Sequence, residues 1–228
     1  MKRVKLFLKL SILTLLLIFN VVIPVGAKKV ENDERIQFIT PEHNLVIETE
    51  YNVNDFTLEK KNLDGSTIFS VIDSSGFEVE SWSFGPEAST YNYATPMSRS
   101  TVTYRHLHKK NVGALSGKFV HDVALELYQY NSFAQFNKLL YDINFVEGWS
   151  YFSVGTFGRS ITPTGPGGNE WPAVGVAVSY SVIVTATLNV DINAQFQNTL
   201  LAAGFSLGSS YHYSKRMTGS YIIKSINW

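Results

Sequence analysis

Gly204-Phe205-Ser206-Leu207-Gly208 has the Gly-x-Ser-x-Gly form of a serine-hydrolase nucleophile elbow, in which a sharp strand-to-helix turn presents the serine hydroxyl. That chemistry needs an acid and then a histidine beyond the serine. No Asp or Glu follows Ser206, and the downstream His212 lies six residues away, so the pentapeptide reads as a turn between two strands. His106 and His108, at i and i+2, share one face of a strand and have the spacing of two metal ligands. A third ligand is not identifiable, because His121, Asp122 and Glu126 are remote in sequence. Beside Lys109-Lys110 the two histidines are expected to face solvent. His121-Asp122 is an adjacent pair whose side chains would point to opposite faces, which makes a poor catalytic dyad. Glu78 and Glu80 are expected on one strand face. Glycoside hydrolysis would need two carboxylates several ångström apart, and exposed acidic strand residues are the simpler reading. No catalytic residue, metal or cofactor is expected.

The elements that would position these groups are extended. From Val174 to Phe196 every even position is apolar: Val174, Val176, Val178, Tyr180, Val182, Val184, Ala186, Leu188, Val190, Ile192, Ala194 and Phe196. Ser, Thr, Asn, Asp and Gln fill most of the odd positions, with Ile183 the exception from Ser179 onward. A period of two sustained this far indicates strand with one apolar and one hydrogen-bonding face. One unbroken strand of that length would run roughly 75 Å at ~3.3 Å per residue, so a turn is expected within it, and Asn189-Val190-Asp191 is the natural place. Elsewhere, strand-like runs alternate with turn signals. Thr67–Ile72 and Phe77–Phe84 flank Asp73-Ser74-Ser75-Gly76, Asn62-Leu63-Asp64-Gly65 marks another turn, and Gly85–Pro96 and Thr162–Pro172 read as loops. Ser132–Asn144 fits a helix through Phe133, Phe136, Leu140 and Ile143, or a strand through Leu139, Tyr141, Ile143 and Phe145; its neighbourhood favours the strand. The fold expected is all-β: an antiparallel β-sandwich with long amphipathic strands and at most one short helix.

The first 27 residues have the three parts of a secretory signal: a basic start (Lys2, Arg3, Lys5, Lys9), an apolar stretch from Leu10 to Val25, and small residues at Gly26-Ala27. Cleavage is expected after Ala27, with secretion to the extracellular space. Residues 28–44 are charged and read as a flexible lead-in carrying at most a short strand at Ile36–Ile39, followed by a single sandwich-type domain over 45–228. The whole chain balances 19 Lys+Arg against 19 Asp+Glu; four of the basic and none of the acidic residues lie in the leader, so the remainder is acidic by four charges. That composition argues against a nucleic-acid partner. Without cysteine, the fold must be held by its core alone.

Function is therefore expected to reside in a surface. The expected reading is an exported, non-enzymatic protein that binds an extracellular ligand (glycan, protein or membrane surface), with Trp149, Tyr151 and Trp171 as contact residues able to stack on sugars or settle at a membrane. The alternative is a β-pore. In composition and pattern, the alternating segment resembles the Ser/Thr-rich amphipathic hairpins of aerolysin-type pore-forming toxins. The resemblance implies that Val182, Val184, Leu188, Val190 and Ile192 would face lipid after oligomerisation.

Overall fold

The computed structural model describes residues 34–40, 43, 45–85, 100–131, 133–188, 194–208 and 211–227. Strands β1 (Arg35–Ile39), β2 (Leu45–Asn52), β9 (Phe152–Thr164), β10 (Gly175–Thr187) and β12 (His212–Ser225) form one antiparallel sheet in the order β1-β2-β12-β10-β9, and the short β11 (Ser206–Leu207) adds to β12. The second sheet is a meander of six consecutive strands: β3 (Phe56–Leu63), β4 (Ser66–Asp73), β5 (Glu78–Phe84), β6 (Ser100–Asn111), β7 (Lys118–Tyr130) and β8 (Phe133–Glu147). Among the described residues one helix, α1 (Ala194–Ala202), stands between β10 and β11. The expected all-β sandwich is the fold observed.

Turn chemistry sets the meander. Asp64 and Gly65 both have positive φ, which suits the two-residue loop joining β3 to β4. At the next turn the Asp73 carboxylate accepts from the backbone N–H groups of Ser75 and Phe77, and Gly76 supplies the left-handed residue. The charged lead-in does carry its strand. β1 pairs with β2 and buries Ile36 and Phe38, so the sheet begins at Arg35. Of the segment Ser132–Asn144, the described residues from Phe133 onward are strand within β8. Residues 1–27, read above as a secretory leader, lie outside the described residues.

β10 is central in its sheet, paired along its length with β9 and β12. Val176, Val178, Tyr180, Val182, Val184, Ala186 and Leu188 are all buried, so the alternation identifies the core face up to Leu188. Beyond that, the expected continuation as strand is corrected. Ala194–Ala202 is helical, with Leu200 buried, and it ends in a Schellman motif: Phe205 N–H donates to Leu200 O and Gly204 N–H to Leu201 O, with Gly204 at positive φ. Ala194 and Phe196 matched the alternation by coincidence of parity, while the run of good helix formers to Ala203 decided the local structure. The expected turn at Asn189–Asp191, with Val190 and Ile192, lies outside the described residues.

The core has two apolar clusters. One gathers Phe38, Phe69, Trp82, Phe84, Tyr104, Phe136, Val178 and Tyr221; the other gathers Phe119, Phe152, Tyr180, Val182, Val184, Leu200, Phe205 and Met217. α1 belongs to the second, and Lys215 Nζ donates to the carbonyls of Ala203 and Val112, tying the helix end to the β6–β7 turn. Val178→Lys is expected to remove more than about 4 kcal/mol of stability because it buries an unpaired charge. Ser179→Lys, on the exposed side of the same strand, should stay within about 0.5 kcal/mol; urea denaturation of the two variants checks the parity.

Candidate functional site

Between the two apolar clusters lies a polar layer that the sequence placed wrongly. His106 and His108 do share a strand face, but it is the inner one, and both are fully buried, as is His121 on the neighbouring β7. They do not face solvent, because Tyr104, His106 and His108 alternate with the outward Arg105, which forms a two-point ion pair with Asp122. His121 and Asp122 point to opposite faces as expected from strand parity.

Each histidine uses its Nε2. His106 Nε2 lies 2.8 Å from the Tyr221 hydroxyl, His108 Nε2 lies 2.9 Å from Glu80 Oε2, and His121 Nε2 lies 3.4 Å from Asp142 Oδ2. Both carboxylates also hold a cation. Lys110 Nζ lies 2.5 Å from Glu80 Oε1 and 3.0 Å from Glu50, and Arg159 pairs with Asp142. Aromatic rings fill the space around them: Trp82 stacks on His108 with centroids 4.8 Å apart, and Tyr180 and Tyr221 reach it from the opposite sheet at 5.5 and 4.9 Å. Gly219 of β12 is required here, because a Cβ would meet the Tyr180 hydroxyl at 2.4 Å.

Glu80 and Glu78 do not share a face. The β4–β5 register shifts between Glu80 and Glu78, a bulge that turns Glu80 inward and leaves Glu78 bonded to Ser70, Ser81 and Lys118. Burial pushes the Glu80 carboxyl up, but His108 and Lys110 outweigh it and leave it below its ordinary range. Burial pulls Lys110 down, and Glu80 and Glu50 reverse that. Burial also raises the Tyr104, Tyr180 and Tyr221 phenols.

A histidine hydrogen-bonded to a carboxylate is the geometry of a general base. Here the histidines and Glu80 have essentially no solvent exposure, so no substrate atom reaches them in this structure. Among the described residues no group of three or more His, Cys, Asp or Glu is arranged to hold a metal. Ser206 follows the end of α1 instead of preceding a helix, and His212 Nδ1 lies 3.2 Å from Thr187 Oγ1, so among the described residues no Ser206-based triad is seen.

The expected contact residues do not form one patch. Trp149 and Tyr151 stand in the corner between β8 and β9, with ring centroids 5.1 Å apart, and Trp149 stacks on Phe196 of α1 at 4.4 Å. Trp171 lies beyond the other end of β9, some 40 Å away at ~3.3 Å per residue. There it packs against the first apolar cluster and lines a depression of about 230 Å³ with Pro166, Glu170 and Pro172. That loop is stitched to β8 by reciprocal backbone bonds between Phe136 and Ala173. Of the residues expected to face lipid, Val182, Val184 and Leu188 are buried in the second cluster.

Sequence reasoning missed the surface of β8. Its register places Asp142 and Asn144 inward, opposite Val123 and His121, and turns Tyr141, Ile143 and Phe145 outward, opposite Ala124, Asp122 and Val120. The outward residues are 39%, 51% and 42% exposed. Over Tyr141–Phe145 the polarity is thus reversed, polar in and apolar out, while Ala134 and Phe136 earlier in the strand are buried, and the signal was the row of large apolar residues at alternate positions. No family model, curated protein or solved structure matches the chain.

Glu80→Gln is expected to cost about 3 kcal/mol or more, because it leaves Lys110 and His108 without their buried anion. Glu78→Gln, whose ion pair with Lys118 is partly exposed, should cost about 1 kcal/mol or less. Urea midpoints at neutral pH separate the two.

Proposed function

We propose that this is an exported, non-enzymatic sandwich protein that attaches to an extracellular ligand through the outer face of β8. The observation that carries the reading is the reversed polarity of that strand over Tyr141–Phe145. An edge strand normally turns charge outward to discourage association, whereas β8 presents Tyr141, Ile143 and Phe145. The row leads along the chain to the Trp149–Tyr151 corner, which adds two of the aromatic residues expected from the sequence. Export is supported by the composition of residues 1–27, and the acidic balance of the remainder favours a glycan, protein or membrane ligand over nucleic acid.

The second reading, a β-pore, is favoured by one feature. The β9–β10 pair turns Ser153, Ser160, Ser179 and Thr185 to its outer side and Val154, Phe157, Val178 and Val184 to its inner side. Each strand has 13 residues, long enough for a bilayer that needs ~9–11. It ranks second because Arg159 lies on the apolar side, in register with Tyr180 near the middle of β9, where a bilayer would charge about 2–4 kcal/mol for it.

Co-sedimentation of the purified protein with cell-wall material and with liposomes, alongside dye release from the same liposomes, tests both readings. Retention without leakage is expected. A Tyr141→Ser/Phe145→Ser variant should bind about tenfold more weakly or worse, and Trp171→Ala should bind as the parent does. Equal retention of the two variants overturns the β8 surface, and leakage with detergent-resistant oligomers puts the pore first.

A further inference from the structure

His106, His108 and His121 occupy the inner side of adjacent strands: His108 is the register partner of His121, and His106 lies two residues before His108. Groups from both sheets face each of them. His106 meets Tyr221 of β12, Phe84 of β5 and Tyr104 of β6. His108 meets Glu80 and Trp82 of β5, Tyr180 of β10 and Tyr221 of β12, with Lys110 behind Glu80. His121 meets Asp142 of β8, Phe157 of β9 and Tyr180, with Arg159 of β9 behind Asp142. Glu50 and Tyr51 of β2 close the cluster around Lys110.

We propose that this layer is an acid latch: proton uptake by His106 and His121 parts the two sheets. The charge count supports it. Around His106 and His121, Lys110 and Arg159 already meet the charges of Glu80 and Asp142, and Glu50 sits at the partly exposed side of the cluster. Two added protons, one on each of these histidines, put two positive charges between the sheets, and at most the one further negative charge of Glu50 is there to meet them. Neither buried carboxylate is free to absorb them, since each already holds a cation. His106 is bonded to a neutral phenol, and the Nδ1 atoms of all three rings have no hydrogen-bond partner among the described residues. A proton added at Nδ1 would therefore be an unsatisfied buried donor as well as a charge.

Burial, and then repulsion from neighbouring histidines, holds His106 well below the usual imidazole range and pushes His121 down to about 4. An opened chain would bind these protons near the ordinary value of about 6.5. Folded values below the open-state value mean that the closed form is fully favoured above about pH 6.5 and loses ground as pH falls toward 4. Each pH unit inside that window raises the open-to-closed ratio up to about tenfold per titrating histidine. Opening would lay bare the inner faces of β10 and β12, including Val178, Val182 and Ile223.

The test is a pH series from 7.5 to 4 on the purified protein. It would follow the urea midpoint, near-UV circular dichroism and the emission of Trp82, taken as the difference from a Trp82→Phe variant. Expected are a flat region above pH 7, then a fall in midpoint and loss of the Trp82 signal between about pH 6.5 and 4, with strand content retained. His106→Gln and His121→Gln should each flatten the slope. Because these variants could fail to fold, histidine Cε1–H titration by NMR on the unaltered protein gives a second reading. The His106 and His121 signals should hold their neutral shifts until the chain opens. His106 or His121 signals that titrate near 6.5 within a closed chain, or a midpoint unchanged from pH 7.5 to 5, would overturn the latch.

Discussion

The pairing of buried charge between the two halves of the core constrains almost everything else in this sandwich. Glu80 cannot be withdrawn from water unless His108 and Lys110 meet it, and Asp142 cannot face inward unless Arg159 and His121 meet it. His108, Lys110 and His121 lie on the strand next to their carboxylate in the same sheet, whereas Arg159 of β9, Glu50 of β2 on Lys110 and Tyr221 of β12 on His106 reach in from the other sheet. The layer therefore fixes how the sheets lie against each other, which apolar contacts alone would leave free to slide. The close approach of Gly219 to Tyr180 belongs to the same constraint, since the ring that seals the layer leaves no room for a Cβ on β12.

The reversed polarity of β8 follows from this. Side chains on a strand alternate, so an inward Asp142 turns Tyr141 and Ile143 outward, and the same register brings Asn144 against His121 and exposes Phe145. An ordinary amphipathic edge strand would have placed Tyr141, Ile143 and Phe145 in the core and left Arg159 without its anion. The exposed row is thus the outer side of the same register that satisfies the core.

How much of this was legible depended on how local the cause was. β10 announced itself because its alternation is set by burial on one face alone, and the Asp73–Gly76 and Asn62–Gly65 turns did so through residues that need particular dihedrals. α1 was hidden because Ala194 and Phe196 satisfied the strand parity, and only the later Leu200-Leu201-Ala202-Ala203 run and its Gly204 cap distinguish it. The inward turn of Glu80 depends on a bulge, and bulges leave no mark in a pattern of two. The buried histidines were misjudged for a different reason. Polar residues beside Lys109-Lys110 look solvated until the partners that make their burial tolerable, Tyr221 and Glu80, are known to be in reach. Those partners lie 115 and 28 residues away in sequence, and no window on the chain brings them together.

The surface proposed for attachment and the layer proposed as a latch meet in a single strand. Asp142 and Asn144 face the histidines, while Tyr141, Ile143 and Phe145, interleaved with them, face outward on the same backbone. A shift of β8 that relieved positive charge at His121 would have to carry the outward row with it, because consecutive residues on a strand cannot move independently. β8 is also the edge of its sheet, held on one side by β7 and fastened to the β9–β10 loop at Phe136–Ala173. Its far end, near Asp142 and His121, therefore has fewer backbone restraints than any central strand. Protonation of the core and occupancy of the outer face then act on one element from opposite sides: a ligand that holds β8 in its closed register resists the acid response, and acid that displaces β8 weakens the hold on the ligand.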